Sequence, residues 1–276
     1  MPTLIILALV QLFPLLYSFY LSLSRISLDL RTELIGLANY HRIVRDPTVR
    51  AALWHSVVFT VGGVAGQLVV GLVSALLLNY GLRGQRWMRL AMLIPWVIPT
   101  VITALVWRWM LDSHFGVMND WLVRAGILDS FRSWLGMPDT ALAATVLVNV
   151  WRGSPFVAVM LLAALQLIPK EHYEAAQVDG AGSFQQFRYI TLPGVMYTMA
   201  LAGTMSGIWS FKEFALIQLL TEGGPAGATE VVGTLVYRMF FQYARFGEAA
   251  ALGVLVFLVL FVASTYYLRL ATRIED

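Results

Sequence analysis

The chain has 276 residues, 59% of them hydrophobic and only 13% charged, with a mean hydropathy of +0.72. A soluble domain carries about 25% charged residues, so a water-facing surface of this size is excluded and an integral membrane protein is indicated. The net charge of +3, from 17 Arg and 2 Lys, is scattered rather than gathered into a stripe, which argues against a nucleic-acid partner, and the absence of cysteine removes disulfides and thiolate metal sites.

Six apolar segments follow in chain order: 3–23, 54–79, 89–111, 140–166, 195–219 and 248–270. Each is long enough to cross the hydrocarbon core as a helix. The ten-residue alternation of a membrane β-barrel is absent. The first segment holds Gln11 and Pro14; no basic stretch precedes it and no small-residue cleavage site closes it, so it reads as a retained helix rather than a signal peptide. Pro95 and Pro99 fall within the third segment, where a proline removes a helical hydrogen bond and bends the chain, as a hinge or as a packing device.

Charge bias leaves the orientation open. With both termini cytoplasmic, the inner loops and tail hold Arg83, Arg86, Arg89, Lys170, Arg188, Arg269 and Arg273. The outer segments 22–53, 112–138 and 221–247 hold nine arginines.

Ionisable groups inside a membrane helix cost about 2.5–3.5 kcal/mol on insertion scales and face a bundle interior or a wet cavity. Arg152 lies near the middle of the fourth segment with Asn149 one turn before it; Lys212 and Glu213 lie in the outer half of the fifth, close to Trp209 and Ser210. Two readings apply to Asn149, Arg152, Trp209, Lys212 and Glu213. They border a solute pathway, where aromatic faces and hydrogen-bonding groups suit sugars, or Arg152 and Glu213 pair with each other, or with a partner subunit, merely to neutralise charge.

Between the fourth and fifth segments the chain turns polar over 167–194. Pro169 stops one helix and suits the first turn of the next; "KEHYEAAQV" reads as a short helix with Glu171 near its positive end. Gly180 and Gly182 break it. Ser183 and Gln186 have the spacing of a capping box, Phe184, Phe187 and Ile190 form a partial apolar stripe, and Pro193 is expected to close the unit. Physically this is either an interfacial helix pair resting on lipid headgroups or a docking element.

The segment fits the pattern E-A-A, three residues, G, nine residues, I-x-L-P, at Glu174, Ala175, Ala176, Gly180, Ile190, Leu192 and Pro193. With "GLANYHRIVRDP" (36–47), "WRGSPF" (151–156), "WSFKEFALIQLLTEGGPAGAT" (209–229) and "FGEAAALGV" (246–254), it gives the chain a resemblance, over nearly its whole length, to the membrane-spanning permease subunits of carbohydrate-type binding-protein-dependent ABC importers, of the first-subunit kind in maltose-like and glycerol-phosphate-like systems. The resemblance implies an all-α integral membrane protein with about six transmembrane helices and a cytoplasmic coupling-helix loop, the type I permease fold, in a bacterial or archaeal cytoplasmic (inner) membrane with both termini cytoplasmic. It implies one permease domain over 1–276, with 167–194 as the loop and residues 174–193 docking an ATPase. Its partners are a second homologous permease, an ABC ATPase dimer that binds ATP and Mg, an extracytoplasmic solute-binding protein and the lipid bilayer, and the solute is a sugar or related polyol. The family pattern carries a basic tail before the first helix, which this sequence lacks.

The chain itself has no means of hydrolysing ATP by a P-loop: Lys170 and Lys212 are each followed by Glu, with no glycine before them. The four histidines lie far apart, so no cofactor or metal is expected on this chain, nor any enzymatic activity. The alternative class is a self-sufficient secondary transporter or channel, which calls for broken helices and inverted repeats around a midplane site; no repeat is evident, and such a protein has no need of a docking loop.

Overall fold

The structure is a computed structural model that describes residues 6, 8–26, 31–81 and 84–275. The start of the first predicted segment and Arg83 lie outside the described residues. A π-helical turn at Ala8–Leu12 leads into α1 (Phe13–Ser22), and a short antiparallel pair, β1 (Ser24–Ile26) and β2 (Thr32–Leu34), follows. Every other element among the described residues is helical.

The bundle is organised by three long helices: α3 (Pro47–Asn79), α7 (Pro138–Leu167) and α10 (Leu192–Phe211). In α3 the buried positions are Val49, Ala52, Ser56, Phe59, Gly63, Gln67, Gly71, Ala75 and Leu78, spaced by three or four, so they form one stripe along a 3.6-residue helix. The stripe contains small residues because helices in lipid gain from close van der Waals approach rather than from expelling water. Gly63 shows how close the approach is: a Cβ there would lie 2.5 Å from Asn149 Nδ2 on α7. The facing pairs advance together along both helices, Gly62 with Val146 and Gly71 with Val157, so α3 and α7 run parallel. Gly203 and Ser210 of α10 face Leu68 and Asn149, so α10 runs antiparallel to both.

Two of the predicted spans are thus continuous helices, and α3 and α7 are each long and apolar enough to cross a membrane. The third is broken. Helix α4 (Gln85–Val97) and helix α5 (Thr100–Met110) meet at an angle of 97°. The cause is Pro99: the residue before a proline is driven out of the helical region, and Ile98 is extended, whereas Pro95 sits inside α4. The fifth also stops early. Helix α10 ends at Phe211, and after Lys212–Phe214 a new short helix, α11 (Ala215–Leu220), begins. Lys212 and Glu213 therefore lie in a helix break rather than within the outer half of a span. The break is held by Glu213, whose Oε1 accepts the Leu216 N–H at 3.1 Å and so satisfies an otherwise unpaired donor of α11.

The remaining helices are α2 (Ala38–Arg45), α6 (Val117–Arg124), α8 (Lys170–Val178), α9 (Ser183–Gln186), α12 (Val232–Phe241) and α13 (Phe246–Glu275). Helices α1 and α13 pack together, and the C-terminal end of α1 is tied to α2 by Asn39 Nδ2, which donates to the carbonyls of Ser22 and Ser24 at 2.9 Å each. Three apolar clusters follow the bundle axis: Ile43, Leu235, Met239 and Leu252 at that end, Phe59, Trp107, Val148 and Ile217 in the middle, and Ala75, Leu161, Leu165 and Val195 at the other. Segment 168–191 lies at the third cluster's end.

Candidate solute cavity and coupling segment

The parallel α3 and α7 and the antiparallel α10 bring three polar side chains to one level. Gln67 Nε2 donates to the Asn149 carbonyl at 3.1 Å, and Asn149 Nδ2 donates to Ser210 Oγ at 3.0 Å. One turn along α7, Arg152 Nη1 donates to Glu213 Oε2 at 3.0 Å. These groups form one wall of a cavity of about 570 Å³. Trp96, Phe156 and Trp209 add an aromatic lining to the same cavity, with ring centroids 6.1 Å apart for Trp96–Phe156 and 4.8 Å for the edge-on Phe156–Trp209 pair. Trp96 reaches the cavity from α4, which packs against α7.

All five residues singled out for a pathway or pairing, Asn149, Arg152, Trp209, Lys212 and Glu213, line this cavity. Sequence reasoning missed Gln67, Trp96, Phe156 and Ser206. Gln67 was legible as the polar residue interrupting the apolar run of α3, and Trp96 as the aromatic between two prolines. Phe156 and Ser206 carried no signal beyond helical spacing.

The second set of predicted residues lies at the end of the bundle. Helix α8 spans the predicted 170–178 and is closed by the turn at Gly180, whose φ of +79° is one that glycine adopts without steric cost. Gly180 N–H donates to Gln177 O and Ala181 N–H to Ala176 O at 2.8 Å, the Schellman arrangement. The cap of the next helix differs from the expected Ser183–Gln186 box. Gly182 occupies the cap, and Gln185 Oε1 accepts the Gly182 N–H at 2.8 Å, while Gln186 reaches back to the Ala181 carbonyl. Pro193 does not close the unit either. Helix α9 passes through a π turn at Phe187–Thr191 directly into α10, and Pro193 sits in the first turn of α10, where its missing N–H is accommodated.

Glu174, Ala175, Gly180 and Pro193 are exposed, while Ala176, Ile190 and Leu192 are partly buried. Around them stand Val178, Phe184 and Tyr189, each at least 73% exposed. The segment is braced from within: Tyr173 Oη lies 3.0 Å from Thr191 Oγ1. A cleft of about 400 Å³ between Leu167, Pro169, His172, Tyr189 and Tyr197 runs beneath it. The geometry is a rigid, apolar-tipped knob carried by the ends of α7 and α10, the two helices that also line the cavity.

Residues 67–276 match the family model described as the binding-protein-dependent transport system inner membrane component. The chain belongs to this family. The permease is 35% identical over 98% of its length to the sulfoquinovosyl glycerol transport system permease protein SmoG of Agrobacterium fabrum, covering 87% of that protein. It is 33% identical over its full length to the trehalose/maltose transport system permease protein MalF of Thermococcus litoralis, covering 93%. Among solved structures it resembles a chain of a bacterial ABC transporter involved in the import of the acidic polysaccharide alginate, with a TM-score of 0.83 at 23% identity over 100% of this chain and 94% of that one. At that identity the likeness establishes the fold alone, the all-α fold of an ABC importer permease. The permease is thus a multi-pass inner-membrane transport component.

Proposed function

We propose that this permease forms half of the membrane pathway of an ATP-driven importer for a sugar or related polyol, handed over by an extracytoplasmic binding protein. The observation that carries the reading is that α7 at mid-length and α10 near its C-terminal end line the cavity, and that the two helices are joined by the largely exposed 174–193 segment. From Arg152 to Leu167 is about 22 Å at 1.5 Å per residue, so a push on the knob reaches the cavity through one helix. The sugar-transport names of relatives at 33–35% identity support the solute class.

In this reading the pathway is completed by a second homologous permease, and the knob docks on an ATPase dimer that alone binds ATP and Mg. The whole chain acts as one permease domain, with 167–194 as its coupling loop facing the cytoplasm. Both termini lie on that side, in keeping with α1 and α13 meeting at the opposite end of the bundle. Glu174, Ala175 and Gly180 form the contact surface, with the apolar tips of Val178 and Phe184. Ile190, Leu192 and Pro193 fix the knob to α10. Closing of the ATPases shifts the knobs and opens the cavity outward to the loaded binding protein. A ligand moves such an equilibrium only by its differential affinity for the two states; here ATP and the loaded binding protein supply it.

The test is purification of the tagged permease from native membranes in mild detergent. An ATPase and a second permease are expected in stoichiometric amounts, with the ATPase lost from Glu174→Arg and Gly180→Arg variants that retain the second permease. A chain that emerges alone, or variants that keep the ATPase, contradict the reading.

A further inference from the structure

Counting charge around the cavity gives an uneven result. Arg152 and Glu213 neutralise one another at 3.0 Å, and Lys212 forms no ion pair among the described residues. Among the described residues no other ionisable side chain lines the space, so what they give this half of it is one uncompensated positive charge. Lys212 is the C-cap residue of α10 and its side chain is exposed, at the carbonyl end of a helix, which favours a cation. That interaction retains the charge without cancelling it. Hydrogen-bond donors are uneven in the same way. The side-chain amides of Gln67 and Asn149 each already donate within the protein, but Ser206 Oγ lines the cavity, is buried and has no partner. Among the described residues a solute therefore meets one cation without an ion pair and one buried hydroxyl without a partner, beside aromatic rings suited to the C–H face of a sugar.

Resting on the importer reading, we infer that the solute is an anionic sugar or polyol, bearing a carboxylate, sulfonate or phosphate, and that Lys212 receives that group in the membrane cavity. A neutral solute offers this exposed ammonium no counter-charge, whereas an anion converts it into a charge-assisted hydrogen-bond donor. Lys212 thereby acts as a selectivity residue.

The experiment uses the whole importer, with its two permeases, ATPase and binding protein, in proteoliposomes. The probes are a glucuronic-acid disaccharide, its neutral glucose counterpart and glycerol 3-phosphate. The binding protein is first titrated with each by calorimetry, and ATP-dependent uptake is then compared for the native chain, Lys212→Gln and Lys212→Arg. The expected result is capture of at least one acidic probe about tenfold or more tightly than the neutral sugar. Lys212→Gln should lower uptake of the captured acidic probe by about tenfold, and Lys212→Arg, which keeps the charge, should stay within a few-fold of native. The Arg variant separates a charge effect from a folding defect. Capture of the neutral sugar alone overturns the inference while leaving the importer reading intact. So does undiminished acidic uptake by Lys212→Gln, as when a carboxylate of the second permease already pairs with Lys212. A preparation with no associated ATPase and no ATP-dependent uptake overturns both.

Discussion

Arg152 and Glu213 show how much a single pair can be asked to do. The carboxylate is largely buried and the guanidinium partly so, which places the pair between a surface bridge, worth 0–1 kcal/mol, and a fully buried one, whose disruption costs about 3–5 kcal/mol. Arg152→Ala leaves Glu213 without its cation, and transport should fall by about tenfold or more. Reversing the charges with Arg152→Glu and Glu213→Arg together should restore only part of it. Glu213 also accepts the Leu216 N–H at 3.1 Å, and an arginine has no acceptor to offer α11. Full recovery in a transport assay would show that the cap is dispensable; no recovery would show that the pair does more than neutralise charge. The candidate residues of α7 were legible because a charge in an apolar run is costly and hence informative. The helix break at Lys212 was not legible, since its cause is a side chain folding forward onto a backbone donor.

At the scale of elements, the segment from α8 to α10 was readable as far as local chemistry reaches. Glycines at 180 and 182 announced the turn, and helix 170–178 appears with its predicted bounds. The unbroken passage through a π turn into α10 was hidden, because Pro193 reads as a terminator when its place in a first turn is unknown. Gly180→Ala places a side chain in the left-handed region, costing about 1–2 kcal/mol in the turn. The ATPase activity evoked by the loaded binding protein should drop several-fold, and Gly180→Asn, which tolerates that conformation better, should lose less. Equal activity in both variants would remove the turn from the mechanism.

The segments at the opposite end of the bundle carry a pH signature of their own. Burial raises the Glu230 carboxyl above its ordinary value of 4.5, outweighing Arg238, which lies 3.1 Å away. The folded form therefore holds that proton more tightly than the unfolded chain. The stability it contributes is complete below the ordinary value and is lost as pH rises through the raised one. Asp46, the cap of α3, goes the other way. Burial pushes it up, but the Thr48 N–H and Arg245 prevail and hold it below 3.8, so its contribution is present above that value and fades as pH falls through the lowered one. Removing the titration with Glu230→Gln should make the variant gain in melting temperature relative to the native chain as pH rises from 4.5. A difference that stays flat with pH would contradict this.

For the whole molecule, composition alone identified a membrane bundle, and the spacing of polar residues found one wall of its cavity. The assembly of that cavity was out of reach, because it depends on α3 and α7 running parallel and on the packing of α4 against α7 that sets Trp96 beside Phe156. Those are long-range outcomes of packing small residues such as Gly63 against Asn149, and one chain's sequence does not state them. The central claim is that α7 and α10 transmit force from the exposed 174–193 segment to this cavity. Because the chain contains no cysteine, a single Ala175→Cys substitution provides a unique cross-linking site. The decisive measurement is to cross-link that variant, within intact membranes, to whatever lies within a short spacer's reach and to identify the product with and without ATP. The account predicts one main adduct, to an ATPase subunit, whose yield changes when ATP is added. An adduct only to lipid or to another permease, or none in either state, would contradict it.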